Sequence, residues 1–423
     1  MEITLNGYYT LILATAVLLL GRFLVKRIKF LEDFNIPEPV AGGLVAAAIV
    51  YTLNWTMGYS FNIQKELQTA CMLMFFTSIG LSADFSRLKA GGKPLLIFTL
   101  VVSAFIVFQD VVGVAMASVM GLDPKMGLVT GSIALTGGHG TAAAWGATLE
   151  DKYQVVGATT IGIAAATYGL VAGGLIGGPV AKKLIAKLGV KPTEVADDRS
   201  DVEKLAGEQS LYSTKHTENE DRANKEIFEK PDNIRLITAS STIETLAMFA
   251  ACLVFSSVMT DVAKGTWFEL PTFVWALAGG VIVRNVLTQI FNFDMFDRAI
   301  DVFGNASLSL FLAMALLSLK LWELSELAGP ILVILLVQTV AMILYAYFVT
   351  FRIMGKDYDS AVLAAGHCGF GLGATPTAIA NMQAVTDRYL PSHKAFLIVP
   401  MVGAFFVDVV NTAILQTFAR FLA

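Results

Sequence analysis

The sequence has little charge: Asp, Glu, Lys and Arg make up 15% of its 423 residues, whereas hydrophobic residues make up 55%. About a quarter of the residues in a typical soluble domain are charged. Many windows of roughly 18 or more residues carry almost no charge, which is long enough for a helix to cross a bilayer. A soluble protein would have to hide all of them in one core. The composition therefore predicts an all-helical protein that crosses the membrane many times, with lipid and not nucleic acid around it.

Other absences narrow the function. The chain has three cysteines and four histidines, and the cysteines form no spaced framework. No Walker A pattern is present, which argues against transport driven by ATP. No nucleophile–base motif appears, so the sequence does not predict an enzyme. The amino terminus lacks a basic start and a cleavage site, so we expect the first apolar segment to act as the targeting signal.

Ten apolar segments are long enough to cross a membrane as helices. Their predicted boundaries are 8–26, 38–57, 66–83, 94–119, 154–187, 242–261, 268–290, 302–320, 329–352 and 394–421. Lysine and arginine are enriched in cytoplasmic loops. If the amino terminus is outside, most of the basic residues fall in inner loops, and few fall in outer loops: Lys65, Lys125, Lys152, Lys264, Lys320 and Arg420. The sequence therefore predicts that both termini face the outside.

Residues 188–236 are polar, in contrast to the segments on either side. Positions 191–235 contain 12 acidic and eight basic side chains and few large apolar ones. Such a segment cannot bury enough apolar surface to fold alone. We therefore expect a charged cytoplasmic linker that separates a first membrane repeat, residues 1–187, from a second, residues 237–423.

Two further apolar segments, about 126–149 and 360–385, are interrupted by glycine and polar residues. The first contains TGGHGTAAAW (136–145) and the second contains GHCGFGLGATPTAIANM (366–382). In hydrocarbon a broken helix is tolerated only where it is buried or lines a cavity. Glycine lets a turn form at depth, and the free N–H groups of the next helical arm attract carboxylates. Both segments are predicted to be re-entrant hairpins whose tips meet near the membrane centre, with Thr141 capping one arm and Pro376 opening the other.

The two halves of the chain resemble each other. Leu81–Ser82 recurs as Leu317–Ser318, and Gly138-His-Gly140 matches Gly371-Leu-Gly373 at a similar offset. Five spans per half is an odd number, so the second copy would enter the membrane from the opposite face. Inverted repeats of this kind are typical of secondary transporters, whose sites lie near the midplane on broken helices. The alternative is that the two broken helices serve close packing alone.

Polar residues inside apolar spans are the next candidates, because an ionisable group in a membrane is costly unless it is paired. Asp408 lies in VGAFFVDVVNTAIL, with Asn411 three residues on and therefore on the same helical face. An aspartate there suits a sodium ion or a substrate ammonium group, and the alternative is a structural bond to a neighbouring helix. The same two interpretations stay open for Asp110. His139 is either a residue that lines the site or a histidine bonded to a carbonyl.

TGSIALTGGHGTAAAW together with HCGFGLGATPTAIANM resembles the bacterial glutamate:sodium symporter family, and the likeness covers nearly the whole chain. The resemblance implies inward transport of L-glutamate with Na+ across the bacterial inner membrane, without an organic cofactor. Family members are similar in fold to 2-hydroxycarboxylate carriers, with a homodimeric scaffold and a transport domain that moves as an elevator. Carried over by motif, the substrate site would be lined by Gly137, Gly138, His139, Gly140, Thr141, Gly371, Gly373 and Thr375.

By physical inference, and not by the resemblance, the candidate sodium ligands are Ser132, Thr136, Gly369 and Asp408. We expect two sodium ions per glutamate, because the second ion makes uptake electrogenic and lets the membrane potential drive it. A carrier of citrate or malate with a similar fold is the nearest rival. Its extra carboxylates would favour an arginine pair at the hairpin tips, and neither hairpin contains an arginine. An ion channel is the next alternative, although two broken helices suit alternating access better.

Overall fold

The computed structural model of the protein describes residues 2–34, 36–85, 92–189, 237–266, 269–318 and 328–422. Nearly all of these residues are helical. Two short strands, β1 (Glu2–Thr4) and β2 (Ser60–Asn62), pair in parallel. The helices of the first half are α1 (Gly7–Arg27), α2 (Lys29–Asp33), α3 (Glu38–Met57), α4 (Lys65–Ser82), α5 (Gly92–Val119), α6 (Pro124–Leu128), α7 (Gly138–Tyr153) and α8 (Ala158–Lys187).

The described residues of the second half are also mostly helical. Its helices are α9 (Ala239–Ala263), α10 (Thr272–Gln289), α11 (Asp297–Leu317), α12 (Ala328–Tyr345), α13 (Phe351–Ile353), α14 (Tyr358–Leu372), α15 (Thr375–Thr386), α16 (His393–Met401) and α17 (Val407–Phe421). Two wide π turns keep the chain helical between neighbouring elements: Ala346–Thr350 joins α12 to α13, and Val402–Phe406 joins α16 to α17.

Seven helical segments of the described chain are long and apolar enough to cross a membrane: Gly7–Arg27, Glu38–Met57, Gly92–Val119, Ala158–Lys187, Ala239–Ala263, Asp297–Leu317 and Ala328–Ile353. This confirms the all-helical, multi-pass class. The other regions predicted to be spans, 66–83, 268–290 and 394–421, are largely helical but less apolar or divided, so the ten-span topology stays a prediction. Nearly all of the predicted linker, from residue 190 to 236, and Lys320 lie outside the described residues.

The helices pack into two groups, and each group takes helices from both halves of the chain. The first bundle consists of α1 to α4 and α9 to α11. The second bundle consists of α5 to α8 and α12 to α17. Between the bundles, α7 lies against α11, and the wide turn at Val402–Phe406 lies against α4. The packing therefore joins helices across the central linker.

Close backbone contacts hold the first bundle together. A Cβ atom at Gly80 of α4 would lie only 2.1 Å from the carbonyl oxygen of Leu277 in α10. Glycine at such a crossing lets two helices approach more closely than any other residue would. Next to it, the rings of Phe76 and Phe273 pack with their centroids 4.6 Å apart. The crossing of α4 and α10 thus joins the two halves of the chain.

An ion-pair cluster fixes one end of the same crossing. Arg284 of α10 is buried and lies 3.1 Å from Asp84, which follows α4, and it also bonds Asp297 in the first turn of α11. Loss of one partner would leave a buried charge without compensation, which is strongly destabilising. The cluster therefore holds three helices of the first bundle in register.

In the second bundle, α8 and α14 lie in backbone contact. A Cβ atom at Gly169 of α8 would lie 1.9 Å from the carbonyl oxygen of Leu372, the last residue of α14. Within the 360–385 segment, a Cβ atom at Gly369 would lie 2.4 Å from the Cα of Ala378 in α15. These contacts fix the end of α14 inside the bundle, where the helix breaks.

Candidate functional site

The first interruption lies between α6 and α7. After α6 the helix widens into a π turn at Val129–Ile133, and the backbone at Gly131 is not helical (φ −100°, ψ −131°). The chain then turns until α7 begins at Gly138, whose φ of +68° is one that glycine adopts without strain. Every residue from Val129 to Thr136 is buried. The break therefore lies where a broken helix is tolerated in a membrane protein.

Asp110 of α5 binds this interruption directly. Its Oδ1 accepts a hydrogen bond from the backbone N–H of Ser132 at 2.9 Å, and its Oδ2 accepts one from the Ser132 hydroxyl at 3.0 Å. A Cβ atom at Gly131 would lie 3.0 Å from the same carboxylate, so the non-helical glycine leaves room for it. Asp110 is fully buried. Of the two interpretations left open by the sequence, the structure shows the bond to a neighbouring segment, and that segment is the break itself.

The second interruption separates α14 from α15. Gly373 (φ −133°, ψ −101°) and Ala374 (φ −155°, ψ 165°) are not helical, and α15 begins at Thr375. The carbonyl of Gly371 consequently receives no backbone hydrogen bond from the next turn. Instead it accepts a hydrogen bond from Gln109 Nε2 at 3.1 Å, and the hydroxyl oxygen of Thr136 lies 3.2 Å away.

The two interruptions touch each other. The Thr136 hydroxyl lies 3.2 Å from the carbonyl oxygen of Gly371, and a Cβ atom at Gly138 would lie 3.8 Å from the carbonyl oxygen of Gly373. Neither α7, which follows Gly137, nor α15, which follows Ala374, begins with a side-chain cap. The first N–H groups of a helix have no partner within the helix and give its start a positive partial charge. The contact therefore brings two uncapped helix starts, both partly exposed, close to the buried breaks.

The prediction that Thr141 caps the arm after the break is wrong, because α7 begins one turn earlier. Its side chain packs on Gly137 instead, where an added Cβ atom would lie 2.7 Å from the Thr141 Cβ. The prediction for Pro376 is wrong by one position, because Thr375 is the first residue of α15. Thr375 faces the turn before α17, where a Cβ atom at Gly403 would lie 2.9 Å from its hydroxyl.

His139 and Gly140 lie in the first turn of α7 and contact different neighbours. The Nε2 atom of His139 is 3.0 Å from the hydroxyl of Thr167 on α8. That hydroxyl donates its one proton to the carbonyl of Ile163, so His139 Nε2 donates to it. His139 is thus bonded to a hydroxyl and not to a carbonyl. A Cβ atom at Gly140 would lie 2.5 Å from the ring of Phe75, so α7 meets the first bundle here.

The last helix, α17, contributes Asn411 to the first interruption. Its Nδ2 donates to the carbonyl of Ser132 at 3.1 Å, while its buried Oδ1 has no hydrogen-bond partner among the described residues. Asp408 lies one turn earlier and is partly exposed. Its carboxylate makes no hydrogen bond to any residue of the described chain. The structure therefore brings Asn411 to the cation candidate Ser132 and shows no polar contact for Asp408.

The candidate Gly369 lies one turn before the second break. Its contact with Ala378, described above, accounts for a glycine at this position by close packing of α14 on α15. The carbonyl oxygen of Gly371, in contrast, lies 3.2 Å from the hydroxyl of Thr136, another of the four cation candidates. The structure thus brings Thr136 to the second interruption and leaves Gly369 in a packing contact.

Sequence analysis did not single out Gln109, although it lies at the meeting point of the two interruptions. Its side chain is fully buried and bonds both Thr136 and Gly371. The signal that could have identified it is the pair Gln109–Asp110, two polar residues in succession within an otherwise apolar span. Buried polar residues of this kind are almost always bonded to a specific partner.

Residues 3–391 match the family described as Sodium/glutamate symporter. The chain is 53% identical over 418 residues to the sodium/glutamate symporter of Haemophilus influenzae, with 98% of each protein covered. It is 51% identical over 414 residues to the sodium/glutamate symporter of Escherichia coli (strain K12), with 98% of this chain and 97% of that one covered. A solved sodium proton antiporter, MjNhaP1 from Methanocaldococcus jannaschii, aligns with 98% of this chain and 97% of its own at 12% identity and a TM-score of 0.37, too low to carry an argument. The chain belongs to the sodium/glutamate symporter family.

Proposed function

We propose that this protein is a secondary transporter, not an enzyme, and that it takes up L-glutamate together with Na+. Its relatives in Haemophilus influenzae and Escherichia coli carry the name sodium/glutamate symporter at about half identity over nearly their whole length. The observation that carries the proposal is the contact between two buried helix breaks, with the uncapped starts of α7 and α15 beside it. This is the arrangement in which transporters bind an anionic substrate and its coupling ion.

Glutamate presents two carboxylates and one ammonium group. The uncapped starts of α7 and α15 supply N–H groups and positive partial charge for the carboxylates. Asp408, whose carboxylate makes no hydrogen bond within the described chain, is available for the ammonium group or for sodium. The proposed substrate residues are Gly137, Gly138, His139, Gly140, Thr141, Gly371, Gly373, Thr375, Asp408 and Asn411.

Sodium is a hard cation and binds oxygen atoms, including carbonyls freed by a helix break. The first interruption offers the hydroxyl of Ser132, whose carbonyl already accepts hydrogen bonds from the N–H of Gly137 and from Asn411 Nδ2. It also offers the unpartnered Oδ1 of Asn411. The proposed sodium ligands are Ser132, Thr136, Gly369 and Asp408. Two ions per glutamate would give the loaded carrier one net positive charge, which a potential of 100 mV drives inward with about 2.3 kcal/mol.

We also propose that the two halves are inverted repeats with re-entrant hairpins, and that the second bundle moves against the first as an elevator. The support is the packing: both interruptions belong to the second bundle, and each bundle takes corresponding helices from both halves. The bundles meet at separable contacts. Trp145 packs on Phe273 with ring centroids 5.6 Å apart, and Lys152 forms an ion pair of 2.8 Å with Glu269.

The remaining features of the proposal follow from the charge pattern and the resemblance. The carrier lies in the bacterial inner membrane with both termini in the periplasm and the central linker in the cytoplasm. It forms a homodimer, for which the first bundle is the candidate scaffold because neither interruption belongs to it. Labelling of single cysteines at Lys65 and at Lys182 from each side of the membrane tests the orientation, since the proposal places them on opposite faces.

Uptake of labelled glutamate into proteoliposomes tests the function. We expect accumulation only when sodium is higher outside, and a faster rate when the interior is made negative with a potassium gradient and valinomycin. Aspartate, citrate and glutamine serve as competitors, and choline replaces sodium in the control. Accumulation driven by sodium but selective for citrate would favour the rival dicarboxylate or tricarboxylate carrier, and uptake indifferent to sodium would reject the proposal.

A further inference from the structure

Gln109 is the residue that joins the two interruptions through one side chain. Its Oε1 accepts a hydrogen bond from the Thr136 hydroxyl at 2.7 Å, and its Nε2 donates to the carbonyl of Gly371 at 3.1 Å. The side chain is fully buried, so water does not compete for these bonds. The Thr136 hydroxyl also lies 3.2 Å from the carbonyl oxygen of Gly371, but its one proton is donated to Gln109, the nearer acceptor.

The orientation of the Gln109 amide is determined by its partners. A carbonyl oxygen can only accept hydrogen bonds, so the NH₂ group must face Gly371. The amide oxygen is then left facing Thr136, whose hydroxyl can donate. A side chain without both a donor and an acceptor in this geometry cannot make the same connection, because one of the two partners would be left without its bond.

A hydrogen bond to its backbone helps to fix the position of Gln109. Its backbone carbonyl accepts a hydrogen bond from Nε2 of Gln338 on α12 at 2.8 Å. Four residues on, a Cβ atom at Gly113 would lie 2.1 Å from the carbonyl oxygen of Gly127 in α6, so α5 and α6 are in backbone contact. The next residue, Asp110, holds Ser132. Helix α5 therefore serves as one rigid support for both breaks.

We propose that Gln109 is a positioning residue that couples the two interruptions, so that sodium bound at the first sets the geometry of the second and raises its affinity for glutamate. This inference rests on the proposed function. Coupling between two sites is a free energy that both ligands share, and it requires a connection that differs between their states. The Gln109 amide supplies such a connection, because moving either break changes one of its two bonds.

The test uses the full chain in lipid nanodiscs and measures the Kd for glutamate in sodium and in choline. The ratio of the two values is the coupling ratio. Gln109→Met keeps the length of the side chain but removes both hydrogen bonds, and we expect it to lower the coupling ratio by about tenfold. Because Gln109 does not touch the ligand in this proposal, the Kd in choline should change much less than the Kd in sodium.

Tyr345→Phe is the matched control, since it removes another hydrogen bond from α12 to a backbone carbonyl of α5, at Val101, and leaves Gln109 and all of its partners in place. It should keep the coupling ratio near that of the unchanged protein. Gln109→Asn serves as a second variant if the methionine variant does not fold. Its amide is one methylene shorter and cannot reach both partners, so it should lower the ratio in the same direction.

Three results would overturn the inference. An unchanged coupling ratio in a folded Gln109 variant would show that the bridge carries no coupling. Equal weakening of glutamate binding in sodium and in choline would make Gln109 a ligand or a purely structural residue. An equal loss in Tyr345→Phe would assign the effect to general packing of α12 on α5. The unchanged protein is measured before any variant is made. If it binds glutamate without any dependence on sodium, the proposed function fails.

Discussion

The two interruptions resemble each other in sequence, yet different forces hold them. The first is bound by polar side chains from other helices: Asp110 and Asn411 both bond Ser132, and Gln109 bonds Thr136. At the second break the contacts are close backbone packing at Gly169 and Gly369 and the Gln109 amide at Gly371, while the bonds from Asn381 of α15 to the carbonyls of Gly173 and Ala365 lie farther along the helices. A hydrogen bond from a polar side chain can be replaced by a contact with a bound ion, whereas close backbone packing holds the chain in one conformation. The comparison therefore favours the first break as the place where cations act, and the second as a preformed surface.

Gly169→Ala should have the largest effect, because it tests the packing that holds the second break. The added Cβ would lie 1.9 Å from the carbonyl oxygen of Leu372, so α8 and α14 must separate. We expect the free energy of unfolding to fall by about 3 kcal/mol, as for a severe overpacking substitution, and uptake to be lost. Thermal unfolding in detergent and proteoliposome uptake measure the two effects.

Gly178→Ala on the same helix is the control for this substitution, since no atom lies within 4 Å of its added Cβ. It should leave both the unfolding temperature and uptake unchanged. If Gly169→Ala proves as stable and as active as Gly178→Ala, packing does not hold the second break.

Asp110→Ala tests the polar side of the comparison. It removes two hydrogen bonds and leaves the buried N–H of Ser132 without its acceptor, which should lower the free energy of unfolding by about 2 kcal/mol. Ser132→Ala removes only the hydroxyl bond and should cost clearly less. The same thermal measurement ranks the two variants, and an equal cost for both would contradict a dominant role of the backbone bond.

Asp408→Asn should affect transport more than stability, because the carboxylate makes no hydrogen bond within the described chain. If Asp408 binds sodium or the ammonium group, uptake at low sodium should fall by about tenfold, a loss of about 1.4 kcal/mol. Asp151→Asn, a change at an exposed aspartate near the end of α7, is the control. Unaltered sodium dependence in Asp408→Asn would remove the residue from the site.

Lys152→Met should have the smallest effect on the free energy of unfolding and on uptake. Its ion pair with Glu269 is exposed, and exposed ion pairs contribute little to stability. The hydrogen bond from Lys152 lowers the pKa of Glu269 below its ordinary value of 4.5, and the N–H of Gly265 lowers it further. Because the pKa of Glu269 is lowered, the ion pair stabilises the fold at pH values above the ordinary pKa. This stabilisation is lost as the pH falls through the lowered pKa. Uptake measured between about pH 6 and pH 8 should therefore show no change due to this pair.

Much of the fold could be predicted from the sequence, because helix position follows from local apolar length. Every segment predicted as a span is largely helical, and both breaks fall inside the predicted segments 126–149 and 360–385. The details of the breaks were less predictable. Helical geometry is lost at Gly131 in addition to the GGHG motif, since the room that Asp110 requires is invisible in a local pattern.

The parts of the candidate site that could not be predicted depend on contacts between distant residues. The bond from Asn411 to Ser132 joins positions far apart in the chain, and so do the bonds of Gln109 to Thr136 and Gly371. A single sequence contains no record of such pairs. The resemblance implies a scaffold and a transport domain, but the sequence does not show which helices belong to each bundle, because α4 packs on α10 and α8 on α14 across the central linker.

The interleaving of the two halves has a consequence for biosynthesis. While the ribosome is still making the second half, α4 is already in the membrane with its small-residue face at Gly80 uncovered, and its partner α10 does not yet exist. Neither bundle can close until most of the chain has been inserted. The nascent protein should therefore be most vulnerable to membrane proteases and to wrong helix pairing at mid-synthesis, and two separately expressed halves should each be degraded unless they are produced together.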